Sequence, residues 1–266
     1  MKIADLHTHH PLCRHADGNP IEYVEAAQNA GLLGIGFSDH NPMPESDFDS
    51  WRMDLSQLKT YLEDIQDVKR RAAPYPVWLG LECDYIPGYE DWIAHLAEQA
   101  PWDYLIGSVH YIEPGWDVDN PDMQDRLDGG NRERIWQSYT DLMVRSIRSG
   151  LFDLIAHPDL PKKFGHHPPD DRRRYYEPIV KAAQEWDVTI ELNTAGLRKP
   201  VGEMYPHREF LELMKTAGVK LAINSDAHRP EDVGADFQDA IELARELGFT
   251  TLRRFEQRQA IDYPLP

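Results

Sequence analysis

The chain has 266 residues, 41% of them hydrophobic, and its 28 Lys and Arg against 46 Asp and Glu give a formal net charge of −18. This size and apolar content suit one domain with a large core, whereas the acidic charge argues against a long nucleic acid or an anionic membrane as partner. Two cysteines, Cys13 and Cys83, make no disulfide framework, and the sequence shows neither a signal-peptide pattern nor an apolar run of membrane-spanning length. We therefore expect a soluble, cytoplasmic protein.

Short apolar runs alternate with segments of helical periodicity along the whole chain. The apolar runs predict strands at residues 3–6, 33–37, 77–81, 104–109, 151–156, 188–192 and 219–223. The periodic segments predict helices at residues 20–31, 54–71, 133–148, 174–185, 206–216 and 230–247. The first helix has a clear start, because Asn19 is typical of an N-cap and Pro20 of a first helical turn.

Strands that are separated by helices pair in parallel and place the helices outside the sheet. Seven such units favour an α/β fold with a closed or nearly closed barrel, and no composition break marks a linker, so residues 1–266 are predicted to form a single domain. Two connections, 112–131 and 159–173, are long and rich in Pro, Gly and Asp, as functional or disordered loops are. Residues 249–266 predict a last strand and a tail, to which we assign no function.

Imidazole and carboxylate side chains follow the predicted strands at their C-terminal ends. In chain order these residues are His7 and His9, Asp39 and His40, Glu82, His110, His157, and Asp226 and His228, which follow six of the seven strands, while the sixth strand ends at the amide residue Asn193. In α/β barrels this face carries the active site, and so many polar groups would be costly to bury unless metal ions paired them. Mixed histidine and carboxylate ligands favour zinc, iron or manganese over calcium or magnesium.

The remaining histidines are interpreted more conservatively. His95 lies on a predicted solvent-facing helix, and His166 and His167 lie in a polar loop where we expect them to be solvated. His10 is expected to lie behind the metal ligands, while the sequence leaves His207 undecided.

Six motifs occur in the order "DLHTHH", "SDH", "GLECDY", "GSVHYI", "AHPDL" and "NSDAH". Together they resemble the polymerase and histidinol phosphatase (PHP) superfamily over residues 3–235. Two further stretches, "CRHADGNPIEYVEAA" and "IELNTAGLRKPVGEMYP", resemble the monofunctional histidinol-phosphate phosphatases of that superfamily. The resemblance implies a distorted (β/α)7 TIM-like barrel of PHP type with three divalent metal ions, whose identity among zinc, iron and manganese stays open.

The resemblance also implies a ligand set, carried over by matching motif positions. The first metal would take His7, His9, Glu82 and Asp226. Glu82 would bridge to a second metal, held also by His110 and His157, and a third would be held by His15, His40 and His228. Asp39 is expected behind this set, where it would fix the tautomer of a histidine.

The implied reaction is hydrolysis of L-histidinol phosphate to L-histidinol and phosphate in histidine biosynthesis, by attack of a hydroxide that bridges two metals. Asp226, which would orient the attacking water, and His228 are the catalytic candidates. Two alternatives stay open. The first is a phosphoesterase for another small phosphomonoester, such as a nucleotide or sugar phosphate. The second is a metal-dependent binding module without turnover, which would be expected to have lost ligands.

Cationic residues near the predicted rim are candidates for binding the substrate phosphate, since guanidinium groups match phosphate oxygens in bidentate fashion. These candidates are Arg198, Lys199, Lys162 and Lys163. The substrate's amine and imidazole would need acidic and aromatic partners, for which Trp51, Glu113 and Trp116 are candidates. The oligomeric state is not predicted.

Overall fold

The structure is a computed structural model and describes residues 2–128 and 131–266. The strands in these residues are β1 (Ala4–Asp5), β2 (Gly34–Phe37), β3 (Val77–Asp84), β4 (Tyr104–Ser108), β5 (Tyr111–Glu113), β6 (Trp116–Asp117), β7 (Leu154–Ile155), β8 (Thr189–Asn193), β9 (Leu221–Asn224), β10 (Thr251–Glu256) and β11 (Gln259–Pro264). The helices are α1 (Pro20–Asn29), α2 (Leu58–Ala72), α3 (Glu90–Ala97), α4 (Asp125–Asp128), α5 (Arg132–Arg148), α6 (Arg173–Trp186), α7 (Arg208–Ala217) and α8 (Phe237–Glu246).

Seven parallel strands form one sheet in the order β1-β2-β3-β4-β7-β8-β9. The sheet nearly closes on itself, because a parallel bridge joins Thr8 after β1 to Ala227 after β9. The backbone amide of His9 also donates to the carbonyl of Ala227 over 2.9 Å. All seven strands predicted from the sequence are present, so the predicted α/β barrel is confirmed. None of the helices in the described residues is both long and apolar enough to cross a membrane.

The helices pack around the barrel and largely follow the sequence prediction. Helix α1 begins with a capping box between Asn19 and Glu22, which satisfies free amides of the first turn. The last predicted helix is divided in the structure, since Pro230–Asp232 forms a separate 3-10 turn before α8. The first long connection is also structured, with the β5–β6 hairpin and α4 inside it.

The C-terminal segment differs from the prediction, since it forms an antiparallel hairpin of β10 and β11 instead of a strand and a tail. Phe255 from this hairpin joins the apolar cluster inside the barrel, and the hydroxyl of Tyr263 accepts from the amide of Ala4 over 3.1 Å. The turn was missed because Gln257 and Arg258 both adopt positive φ. Such turns usually contain Asn or Gly, which announce them in a sequence.

Candidate metal centre

The predicted ligands meet at the C-terminal end of the barrel strands. His7 and His9 extend from β1 on the same side of the chain, while Glu82 lies within β3. An isolated parallel bridge pairs His40 with Glu82, which fixes the spacing of these two side chains. His15 arrives from the following loop, where its Nδ1 lies 2.9 Å from the carbonyl oxygen of Cys13.

Within the described residues, the ligand atoms fall into groups whose members lie within 4.8 Å of one another. These groups are His15 with His40 and His228, His7 with His9 and Glu82, Glu82 with His110 and His157, and His9 with Cys13 and His228. The first three match the carried-over ligand sets. Asp226 joins them through its Oδ1, which lies 3.1 Å from Nε2 of His9.

Glu82 lies at the middle of the centre and is 1% exposed. Its Oε2 lies 3.3 Å from Nε2 of His7 and 3.0 Å from Nδ1 of His40, and its Oε1 lies 3.2 Å from Nε2 of His157. Burial alone would raise the pKa of Glu82, but the imidazoles of His40 and His7 outweigh it and hold that pKa well below its usual value. Glu82 is therefore a carboxylate that faces two groups of histidines at once.

Several buried polar atoms in this centre have no hydrogen-bond partner in the described part of the chain, among them Nε2 of His7, Oε2 of Glu82 and Nε2 of His228. Such orphaned atoms are costly in a protein interior unless an ion or another group satisfies them. Burial, reinforced by the charge of His9, holds the pKa of His40 and of His228 well below the usual value. Both rings are thus kept neutral, as metal ligation requires. The residues present fit divalent metal ions.

Two residues of the centre have an unusual backbone conformation. His157 has a φ of 24° and Asp226 a φ of 51°, both on the positive side that side chains other than glycine rarely adopt. Backbone strain of this kind typically occurs at functional sites, where the surrounding structure imposes it. At these positions it turns the side chains from the strand ends toward the centre.

A layer of carboxylates lies behind the histidines. Glu191 reaches Nδ1 of His7 over 3.0 Å, and Asp84 reaches Nδ1 of His110 over 2.7 Å. Asp39 is expected from the sequence to act in this way, and its partner is His9, at 3.4 Å from Nδ1. A carboxylate at the far nitrogen orients the ring and raises its basicity toward a metal.

Sequence reasoning missed Glu191 and Asp84, although each has a signal. Glu191 is a charged residue within the apolar run "TIELN", and Asp84 follows Glu82 at a spacing of two in "LECD", which places both on one side of a strand. Sequence reasoning also missed Arg52, whose guanidinium is nearly fully buried and donates to Asp84 over 2.8 Å. Arg52 also lies against the face of Trp51, 4.3 Å from its ring centre.

A cavity of about 660 Å³ opens at the centre, and its lining includes several cationic residues. Of the predicted phosphate-binding residues, Arg198, Lys199 and Lys163 line it, and the structure adds Arg229. Arg198 is held in place by a hydrogen bond to the carbonyl of Ser225 over 2.7 Å. Arg229 was overlooked although it directly follows His228 in the sequence.

The prediction that Lys162 binds the substrate phosphate is wrong. Its side chain is fully buried and does not line the cavity; Nζ lies 3.0 Å from Asp159 and 2.7 Å from the carbonyl of Met204. It also lies 5.3 Å from the ring centre of Tyr205, which does line the cavity. Lys162 therefore connects the strand end at His157 to the segment before α7, and it has no face available for a phosphate.

Trp51, Asp117 and Asp119 also line the cavity. Two other candidates from the sequence do not reach it: Glu113 is exposed and pairs with Arg134. Trp116 belongs to the buried apolar core. Side chains alternate between the two faces of a strand, so Asp117, which directly follows Trp116 in β6, lines the cavity instead.

Three of the remaining histidines contact other parts of the fold, while His95 is exposed on α3, as expected from the sequence. His10 lies 3.3 Å from Asp64, on the side away from the cavity lining, and His207 caps α7 by accepting from the amide of Glu209 over 3.2 Å. His166 was expected to be solvated, but only 7% of it is exposed because the loop folds over α5. Trp136 of that helix donates to its carbonyl over 2.9 Å.

Comparison with known proteins places these features in context. A PHP domain model matches residues 5–195. The chain is 42% identical over 251 residues to a "Probable histidinol-phosphatase" of Deinococcus radiodurans, covering 94% of this chain and 95% of that one. It is 28% identical over 266 residues to the "Histidinol-phosphatase" of Bacillus subtilis, covering 91% and 99%. A crystal structure of histidinol phosphate phosphatase from Lactococcus lactis, complexed with zinc, L-histidinol and phosphate, has the same fold, with a TM-score of 0.82 at 20% identity and coverage of 98% and 100%.

Proposed function

Because the chain belongs to the PHP domain family, we propose that it is a histidinol-phosphatase, which hydrolyses L-histidinol phosphate to L-histidinol and phosphate with the help of bound divalent metals. The observation that carries this proposal is the 42% identity to a probable histidinol-phosphatase across nearly the full length of both chains. The geometry supports it, since a histidine-rich centre adjoins a cationic wall in one cavity.

We propose that three ions are held by the three ligand groups that the structure brings together. Glu82 contributes to two of these groups, and Asp226 adds a second carboxylate beside His7 and His9. Divalent ions held there would supply positive charge to a phosphoryl group and acidify water for attack. Zinc, iron and manganese all suit this ligand set.

The side chains around the ions have separable tasks in the proposed reaction. Asp226 is 15% exposed and lies between the ligand groups and the cavity, so its carboxylate can orient a water molecule and accept a proton from it. His228 is the second catalytic candidate, since its neutral ring faces the cavity beside Asp226. Arg198, Lys199 and Lys163 bind the phosphate from the cationic wall.

We further propose that residues 1–266 form one catalytic domain, since strands from both ends of the chain complete the same barrel. A cytoplasmic location is supported by the two cysteines, which are buried and unpaired, as is typical of proteins from reducing compartments.

The test is steady-state hydrolysis of L-histidinol phosphate against a panel of nucleotide and sugar monophosphates, with protein reconstituted with zinc, iron or manganese. We expect histidinol phosphate to be preferred by at least about 100-fold in kcat/KM. Arg198→Ala should lower kcat/KM for every phosphomonoester, whereas Arg208→Ala, a matched exposed arginine on α7 that pairs with Glu246, should have no effect. Equal activity across the panel would refute the substrate assignment, and a metal-loaded protein that hydrolyses none of them would refute the phosphatase itself.

A further inference from the structure

Asp117 is a buried carboxylate in the wall of the cavity that forms no ion pair with any of the residues that the structure describes. It lies in β6, is 7% exposed, and lines the cavity. Its Oδ1 accepts from the backbone amide of Asp119 over 2.8 Å, while its Oδ2 has no hydrogen bond within residues 2–128 and 131–266. The other carboxylates of the walls differ, since Asp119 pairs with Lys163 at 2.5 Å and Asp232 with Arg198 at 3.4 Å.

The barrel topology gives the cavity a polarity. Arg198, Lys199 and Arg229 come from the connections after β8 and β9, whereas Trp51 and Asp117 come from those after β2 and β4. Lys163 lies between these two groups, because β7 pairs with β4 and Nζ of Lys163 lies 2.5 Å from Asp119. A substrate whose phosphate lies against Arg198 and Arg229 therefore extends its organic portion toward Asp117. A carboxylate in that position is suited to bind a cation. Burial makes a carboxylate charge without an ion-pair partner costly, and a bound cation would offset that cost.

An aromatic surface adjoins this carboxylate. Asp117 and Tyr111 are direct partners across the β5–β6 hairpin, so their side chains share one face. The ring of Tyr111 stacks on that of Trp51, with centres 5.9 Å apart and planes inclined by 10°. The cavity lining thus combines the carboxylate of Asp117 with the side chain of Trp51, which Tyr111 and Arg52 hold in place. An aromatic side chain beside a carboxylate suits a ligand that has both a flat ring and a cationic group.

We propose that Asp117 binds the ammonium group of the substrate and so determines the preference of this enzyme for phosphomonoesters of amino alcohols. This inference rests on the proposed function, because L-histidinol phosphate has an ammonium group on the carbon next to its phosphorylated CH2 group. Asp117 acts here as a specificity residue and takes no part in the transfer of the phosphoryl group. Neither Arg198 nor Lys163 can replace it, since both are cationic.

The test compares two substrates of the metal-loaded enzyme, L-histidinol phosphate and its analogue without the amino group. For Asp117→Asn, we expect the ratio of kcat/KM between them to fall by about 10- to 100-fold, mainly through KM, because a hydrogen bond to a charged group is lost. Asp119→Asn on the same hairpin is the matched control, since Asp119 is already paired with Lys163, and it should change the ratio much less. A binding measurement adds a second readout: Asp117→Asn should weaken binding of L-histidinol by a similar factor in calorimetry.

The outcomes separate this inference from the proposed function. If the wild type prefers histidinol phosphate but Asp117→Asn leaves the ratio unchanged, or lowers both rates equally, the role of Asp117 is refuted while the phosphatase stands. If the wild type hydrolyses other phosphomonoesters equally well, the substrate assignment itself is wrong. Asparagine keeps an acceptor for the amide of Asp119, so the variant is expected to fold. Should it not fold, Asp117→Ser provides the same comparison.

Discussion

Replacing Gly36 by alanine should destabilise the barrel through one atom, the hydroxyl oxygen of Tyr104. Tyr104 is fully buried inside the barrel, and its hydroxyl donates to the carbonyl of Leu6 over 2.5 Å. A Cβ added at Gly36 would collide with this oxygen first and would lie 3.0 and 3.1 Å from Cζ and Cε1 of the ring. A Cβ added at Gly80 would instead collide with ring carbons, including Cδ2 at 2.9 Å.

The two glycines therefore differ in how they respond to Tyr104→Phe. Overpacking at either glycine costs about 1–3 kcal/mol, and Tyr104→Phe, which leaves the carbonyl of Leu6 without its donor, costs about 1–3 kcal/mol. Tyr104→Phe removes the hydroxyl oxygen with which a Cβ added at Gly36 would collide. The ring carbons that remain near this Cβ then need to move by only a few tenths of an ångström. We expect Gly36→Ala to cost about 1–2 kcal/mol less in the Tyr104→Phe background than in the wild type, whereas Gly80→Ala should cost the same in both backgrounds.

The assay is calorimetric unfolding of the metal-free wild type, the three single variants and the two double variants. For a chain of this size each kcal/mol corresponds to about 2–4 °C in Tm, so the expected coupling at Gly36 is about 2–8 °C. Metal-free protein is used because Leu6 adjoins the ligand His7, and bound metal would otherwise contribute to stability. Additive effects of Gly36→Ala and Tyr104→Phe would refute the reasoning, as would an equal rescue of Gly80→Ala.

Three further predictions follow from buried and paired charges. Asp84→Asn should weaken metal binding by about 10- to 100-fold, because the ring that this carboxylate orients is a proposed ligand; competitive metal titration checks this, with Asp64→Asn, whose carboxylate pairs with the non-ligand His10, as a control. Lys162→Met should lower Tm by about 10 °C in the metal-free protein, since a buried carboxylate loses its partner at a cost of about 3–5 kcal/mol, and an unchanged Tm would contradict the pairing. Asp262 accepts hydrogen bonds from the guanidinium of β10, and these bonds, outweighing burial, lower its pKa below the usual 3.8. The stabilisation is present above that pH and is lost as the pH falls through the lower pKa of the folded state. Asp262→Asn should therefore reduce stability by about 1 kcal/mol or less at pH 7 and by progressively less as the pH is lowered below 3.8.

The sequence predicts the strands of the barrel and the residues at their ends because both signals are local. An apolar run such as that of β8 is visible within a short window, and His157 or Glu82 is conspicuous wherever such a run stops. Proximity then follows from the topology, since the ends of parallel strands share one edge. The same reasoning reaches Arg198 and Lys163, which occupy loops at that edge.

The direction of a side chain is what the sequence leaves open. Lys162 and Lys163 are adjacent, yet only Lys163 faces the cavity, because the 3-10 helix Leu160–Phe164 turns its neighbour toward Asp159. Glu191 appears within an apolar run as an irregularity, and its partner His7 lies 184 residues away. The hairpin of β10 and β11 was missed for a related reason, since its turn residues, Gln257 and Arg258, are not the Asn or Gly that usually mark such turns.

The charges around the cavity explain why divalent metal ions must bind before a phosphate can be attracted. The chain is strongly acidic, and two of the cavity's cations are already paired, Arg198 with Asp232 and Asp236, and Lys163 with Asp119. Beneath them lie the carboxylates of the ligand groups and of the layer behind the histidines, all but one of them fully or almost fully buried. Without divalent cations this field would repel a phosphate dianion. With them, the sign at the centre is reversed while the wall at Asp117 stays negative. One cavity then presents opposite charges to the two ends of a substrate that is itself a phosphate at one end and an ammonium ion at the other.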